Sequence, residues 1–138
     1  MAVPVSLDTS AVVDLIEGEP AVTLRLRQHL ARGESVLVSA IVLEELEFGA
    51  ALSGSAERER RKVQAALVGL RIEAMLAEDA RGAGRHRAKQ QQAGRKLGAY
   101  DGLIAGHAHA RGWTLVTSDA GLLKNAIELA MVNWRDPA

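Results

Sequence analysis

Val3-Pro4-Val5-Ser6-Leu7-Asp8-Thr9-Ser10 reads as a short strand that ends on an acid, followed at once by two hydroxyl residues and an apolar run, residues 11–16, that predicts a helix. In an open α/β sheet, ligands sit beyond the carboxyl ends of the strands. A buried strand holds a carboxylate there rigidly, which suits a metal ligand. The plainer reading is that Asp8 or Thr9 caps the next helix. The rest of the chain decides between the two.

Going outward from that stretch, Pro20 fits the first turn of a second helix closed by Arg32-Gly33, with Val22, Leu24, Leu26 and Leu30 partly lining one side. Val36-Leu37-Val38 is an all-apolar run of the kind found in strands buried on both faces. Ser39 caps a third helix over residues 40–52, and residues 55–69 form a fourth whose first half is solvated. Residues 71–75 predict a strand. Residues 76–92 are helical in composition, although Gly82 and Gly84 weaken the reading, and residues 90–96 read as a polar loop. Residues 100–111 predict a helix stopped at Gly112, residues 113–117 a strand, residues 120–124 a short helix and residues 127–132 a last extended segment. Strands alternating with helices argue for a parallel sheet with crossover helices. With no repeat, low-complexity stretch or linker, one domain over residues 1–138 is expected.

Composition narrows the chemistry. The 138 residues are 48% hydrophobic and 25% charged, and 17 Lys plus Arg balance 17 Asp plus Glu. Any polyanion-binding surface must therefore come from local segregation of charge. The absence of cysteine excludes disulfides, thiolate zinc sites and a cysteine nucleophile, and fits a reducing compartment. No signal peptide or membrane-length apolar run stands out, so a cytoplasmic protein is expected.

Three acids share one setting. Asp8 follows the first strand, Asp119 follows the strand over residues 113–117, and Asp101 opens the helix that feeds that strand. Parallel strands joined by crossovers have their carboxyl ends on one edge, so these acids are expected to face one crevice. A fourth comes from the third helix, where Glu44, Glu45 and Glu47 compete and helical periodicity alone does not choose. Clustered carboxylates repel unless a cation sits between them. Hard oxygen donors without histidine or cysteine suit Mg²⁺ or Mn²⁺, which activate water and hold phosphate oxygens.

These residues carry a resemblance. Leu7-Asp8-Thr9-Ser10, the run Ser39-Ala40-Ile41-Val42-Leu43-Glu44-Glu45-Leu46-Glu47-Phe48-Gly49, the run Gly98-Ala99-Tyr100-Asp101-Gly102-Leu103-Ile104-Ala105, Leu115-Val116-Thr117-Ser118-Asp119 and Val132-Asn133-Trp134 together resemble a PIN-domain ribonuclease of the VapC toxin type, in order and over nearly the whole chain. The resemblance implies a central parallel sheet of about five strands sandwiched by helices, and a Mg²⁺- or Mn²⁺-dependent endoribonuclease. The family pattern Glu-Leu-x-aromatic-Gly falls on Glu45, so Asp8, Glu45, Asp101 and Asp119 carry over as metal and catalytic residues. Thr9 is implied to touch metal-bound water or phosphate, and Thr117 and Ser118 to orient Asp119 or water. It further implies a VapB-like antitoxin partner and a homodimer. Many relatives have Asn where Asp119 stands, and Gly102 replaces a more usual alanine.

Other residues bear on partners. Arg85, Arg87, Lys89, Arg95 and Lys96 lead directly into Asp101 and are candidate RNA-phosphate contacts. No aromatic residues interleave with them for base stacking. His107 and His109 point about 200° apart on a helix and are read as surface or helix-side residues. Rival readings remain open: a stand-alone PIN nuclease in RNA processing, a phosphatase- or receiver-type domain, for which Ser10 stands where a second Asp is needed, and a non-catalytic metal- or protein-binding module.

Overall fold

The computed structural model describes residues 2–137. Twelve elements follow one another: β1 (Val5–Leu7), α1 (Thr9–Ile16), α2 (Pro20–Ala31), β2 (Val36–Ser39), α3 (Ala40–Leu52), α4 (Ala56–Ala66), β3 (Arg71–Glu73), α5 (Ala77–Gln92), α6 (Ala99–Arg111), β4 (Thr114–Val116), α7 (Ala120–Asn125) and β5 (Met131–Val132). The strands form one sheet in the order β3-β2-β1-β4-β5, and every pairing is parallel. This is the α/β architecture that the alternation of strands and helices implied.

The order fixes where a ligand goes. From β1 the chain steps to β2 and β3 on one side, then returns through α5 and α6 to lay β4 on the other side of β1. The strand order therefore reverses between β1 and β4, the place where open α/β sheets leave a crevice at their carboxyl ends. Asp8 and Asp119 stand just past those two strands.

β1, β2 and β4 are buried: Leu7, Leu37, Val38 and Leu115 are fully enclosed, and Ser6, which occupies the second face of β1, is buried with them. Burying each such leucine or valine side chain contributes about 1.5–3 kcal/mol. The edge strand β3 is different, and Ile72 there is 43% exposed. The C-terminal end is tied down as well. Trp134 is buried and stacks on His29, with ring centroids 5.1 Å apart, and Arg135 makes paired hydrogen bonds to the buried Asp14 of α1.

Several expectations are corrected. Leu24 and Leu30 do not line the inner side of α2, being 56% and 40% exposed, and Val22 and Leu26 form that side instead. The helix expected over residues 55–69 is shorter, because Gly69 has φ 83 and turns the chain toward β3. Gln90 is not in a loop. It lies in the last turn of α5 with its amide buried, donating to the carbonyls of Arg95 and Asn125 and accepting from the N–H of Ile127. Gly82 lies inside α5 for a packing reason: a Cβ there would stand 3.1 Å from the Cβ of Ala110 on α6. Small residues let α5 and α6 approach closely, at the usual helix-interior cost of glycine.

Candidate active site

Asp8 is both a cap and a site residue. Its backbone is extended, and Oδ1 accepts from the N–H of Ala11 at 2.9 Å, which starts α1. Oδ1 also accepts from the Ser10 hydroxyl at 2.7 Å, and Oδ2 from the Thr117 hydroxyl at 2.5 Å. Only 3% of Asp8 is exposed. Burial pushes its carboxyl pKa up, the three hydrogen bonds pull it down, the charge of Asp119 pushes it up again, and the net direction is upward.

Thr117 links the two strands that flank the switch. Its hydroxyl donates to Asp8 and accepts the Asp119 N–H at 3.0 Å. Asp119 is the N-cap of α7, with Oδ2 accepting from the N–H of Leu122 at 2.9 Å. A Cβ on Gly121 would lie 3.1 Å from that same oxygen, so the absence of a side chain leaves room for the carboxylate. Ser118 engages through its backbone, its N–H donating to Ser10 Oγ at 3.1 Å.

Asp101 sits in the first turn of α6. A helix N-terminus favours an anion, yet its carboxyl pKa lies above the usual value. Burial is the first cause, followed by the charges of Asp119, Glu45 and Asp8. Four acids from four separate parts of the fold therefore share one electrostatic neighbourhood. Among the described residues they do not converge into a ready-made coordination shell. Like charges hold apart, and Asp8 and Glu45 each commit oxygens to hydroxyl partners.

The three glutamates of α3, which periodicity leaves open, separate by partner. Glu45 accepts from the Thr9 hydroxyl at 2.6 Å and so belongs to the crevice. Glu44 lines a pocket with Tyr100, and its carboxylate beside the hydroxyl raises the phenol's pKa above its ordinary value. Glu47 lies 4.0 Å from Arg60 on the outer surface. Ser10 and Tyr100 take part in the site although neither stands out from sequence as a site residue. For Ser10 a signal exists: it lies two residues past Asp8, a spacing at which a hydroxyl reaches back to a carboxylate.

The basic residues Arg85, Arg87, Lys89, Arg95 and Lys96 are all exposed, on α5 and the connection to α6. Lys89 is 3.6 Å from Glu128. The expectation for His107 is corrected: it is fully buried, its Nδ1 2.8 Å from Ser39 Oγ and its Nε2 3.5 Å from Asp79 Oδ2, because Ser39 and Asp79 supply polar partners inside the fold. His109 stacks on His86, with centroids 4.5 Å apart. No helix among the described residues is long and apolar enough to cross a membrane.

Known proteins bear on this arrangement. The family model for the PIN domain matches residues 5–128. Ribonuclease VapC2 of Rickettsia felis is 33% identical over 128 residues, covering 93% of this chain and 96% of that protein. The tRNA(fMet)-specific endonuclease VapC of Shigella flexneri is 30% identical over the same shares. Among solved structures, VapBC2 from Rickettsia felis bound to a DNA fragment from its promoter aligns with a TM-score of 0.85 at 31% identity, covering 95% of this chain and 98% of that one. DNA-bound VapBC from Salmonella typhimurium aligns with a TM-score of 0.86 at 28% identity, covering 96% and 99%. The sheet order, the acids at its switch point and these likenesses agree, and the chain belongs to the PIN domain family, among the VapC ribonucleases.

Proposed function

We propose that the protein is a divalent-metal-dependent endoribonuclease, the toxin of a VapBC-type toxin–antitoxin pair acting in the cytoplasm. The observation that carries this reading is the placement of four acids: Asp8 and Asp119 just past the carboxyl ends of β1 and β4, Asp101 in the first turn of α6, and Glu45 of α3 tied to Thr9 beside Asp8. Repulsion among them is relieved by a cation, and the donors are hard oxygens that suit Mg²⁺ or Mn²⁺. Asp8, Glu45, Asp101 and Asp119 would hold the ion, which supplies water activation and neutralises charge developing on phosphate.

The protein's own groups do the positioning. Thr117 and Ser10 fix the Asp8 carboxylate, and Thr9 orients Glu45. Thr117 also sets the backbone from which Asp119 projects. Arg85, Arg87, Lys89, Arg95 and Lys96 attract the RNA backbone. Replacing any one of these cations by alanine is expected to lower the salt-dependence slope of single-stranded RNA binding by about 0.7. A groove of about 260 Å³ between α1, α3 and α4, lined by Val13, Ile16, Leu46, Ala50 and Val63, receives an apolar segment of the antitoxin.

The test is direct. Purified protein is incubated with tRNA, the substrate that the name of the Shigella relative makes the first to try, and with Mg²⁺ or Mn²⁺. Internal cleavage by the wild type and its loss in Asp8→Ala and Asp101→Asn is the expected result. If the wild type cuts no RNA, and Asp8→Ala changes neither metal binding nor growth on expression, the reading is wrong.

A further inference from the structure

The chain has four aromatic residues of the Phe, Tyr and Trp types, and the structure sorts them sharply. Trp113 and Trp134 are buried, whereas Phe48 and Tyr100 are 59% and 45% exposed. The two exposed rings come from different helices, α3 and α6, yet line one pocket of about 330 Å³ together with Glu44 and Glu45. Its size is at the low end for small-ligand sites. Tyr100 directly precedes Asp101, and Glu45 belongs to both the pocket wall and the acid crevice.

From this juxtaposition we propose that Phe48 and Tyr100 form the subsite for one nucleobase next to the scissile phosphate, and that Glu44 selects bases carrying an amino group. This rests on the nuclease reading above. The acidic wall repels phosphate, so the flat, uncharged part of a nucleotide enters while its backbone stays on the basic side. Exposed aromatic rings beside a phosphodiester-cleaving centre give stacking platforms that accept any base. The Glu44 carboxylate lines the same pocket and has lone pairs to accept from a base. It accepts from the exocyclic amine of cytosine, adenine or guanine, whereas uracil carries no exocyclic amine and offers the carboxylate only its single N3–H between two carbonyl oxygens. The aromatic pair escapes a reading of the sequence because its members are far apart in the chain and neither sits among the basic residues.

The experiment uses an RNA that the wild type cuts, with each nucleotide around the cut replaced in turn by an abasic one. At one position the abasic change is expected to lower wild-type kcat/KM about 5- to 150-fold, the range that base stacking supports. Phe48→Ala and Tyr100→Ala are expected to lose activity on the intact RNA and to become insensitive to that abasic change, while Tyr100→Phe keeps the sensitivity. Uracil at that position is expected to be cut more slowly by the wild type, and Glu44→Gln, whose amide can donate, to narrow the gap. Both aromatic residues are exposed, and unchanged circular dichroism and melting temperature confirm folded variants. Variants that cut normally with the abasic penalty intact overturn the proposal, as does a loss confined to binding of a partner protein. A wild type that cuts no RNA removes the nuclease reading itself, and that result is read without any variant.

Discussion

The hydroxyl of Thr117 donates to Oδ2 of Asp8 across a separation of 109 positions in the chain. The same hydroxyl accepts the N–H of Asp119. Its removal in Thr117→Val leaves a buried carboxylate oxygen without its donor and a backbone N–H without its acceptor. Each such orphan costs about 1–3 kcal/mol. The expected outcome is a clear drop in the urea midpoint at unchanged m-value. The hydrogen bond from Thr117 also lowers the Asp8 pKa. The acid limb of the pH–rate profile is therefore expected to move to higher pH, a shift that a simple decrease in folded protein does not produce.

Asp8 and Asp101 both have carboxyl pKa values above the ordinary 3.8. The folded state thus binds their protons more tightly than the unfolded chain does. Their contribution to stability is present in full below the unfolded value and is lost as pH rises through the raised folded values. At neutral pH the two charges cost stability, and a divalent ion bound between them, as proposed above, is expected to offset that cost. Mg²⁺ or Mn²⁺ at about 100 times its dissociation constant is expected to stabilise the wild type by about 2.7 kcal/mol. The melting-temperature increment should grow as pH rises above the ordinary carboxyl value and through the raised folded values, as the two carboxyls ionise. Asp101→Asn should melt higher than the wild type without metal and respond less to it. An increment that is flat with pH and survives in Asp101→Asn counts against this account.

The parallel sheet was legible because strands buried on both faces need continuous apolar runs, as in Val36-Leu37-Val38, and because such runs alternate with helical segments along the chain. What stayed hidden depends on partners distant in the chain. Gln90 looks like loop because an amide in a helix reads as surface, and its burial is tolerated only through Arg95, Asn125 and Ile127. His107 is buried on the strength of Ser39 and Asp79, neither of which periodicity connects to it. The choice among Glu44, Glu45 and Glu47 is made by Tyr100, Thr9 and Arg60, while helical spacing treats the first and last alike. Of the candidate ligands, Asp8 and Asp119 followed from strand ends, whereas the way the Ser10 and Thr117 hydroxyls hold Asp8 follows only from the fold.

Asp79 and Arg111 form the paired contact that joins α5 to the end of α6, with Nε to Oδ1 at 2.5 Å and Nη2 to Oδ2 at 2.9 Å. The guanidinium holds the Asp79 carboxyl pKa down to about 2. A depressed folded value means that the contribution is present above the unfolded pKa and is lost as pH falls through the folded one. Arg111→Met leaves Asp79 with its backbone partner Leu76 and the neighbouring His107 only. Because Asp79 is buried and Arg111 is partly exposed, the substitution is expected to cost about 1–3 kcal/mol at neutral pH, the range for leaving a buried acceptor without its donor. The difference from the wild type should shrink as pH drops from about 4 toward 2, where the wild type also loses the charge. Urea denaturation at neutral pH and near pH 3 checks both the size and the sign.

The glycines of the α5–α6 pair give an ordered series, because each faces a different obstacle. A Cβ on Gly106 would stand 2.7 Å from the Cβ and 2.9 Å from the Cα of Ala83, so backbone must move. A Cβ on Gly82 would meet the Cβ of Ala110 at 3.1 Å, a contact that gives by a few tenths of an ångström. A Cβ on Gly84 meets nothing within 4 Å. Gly106→Ala is therefore expected to destabilise most, by about 1–3 kcal/mol from overpacking less the gain in helix propensity. Gly82→Ala should fall between. Gly84→Ala should stabilise by about 0.4–1 kcal/mol, since it only restricts the unfolded chain and favours the helix. Adding Ala83→Gly to Gly106→Ala removes the closer of the two contacts and leaves the one to the Cα, so recovery should be partial. Equal effects at the three positions, or full recovery in the double variant, would show that the helices are not held apart by these atoms.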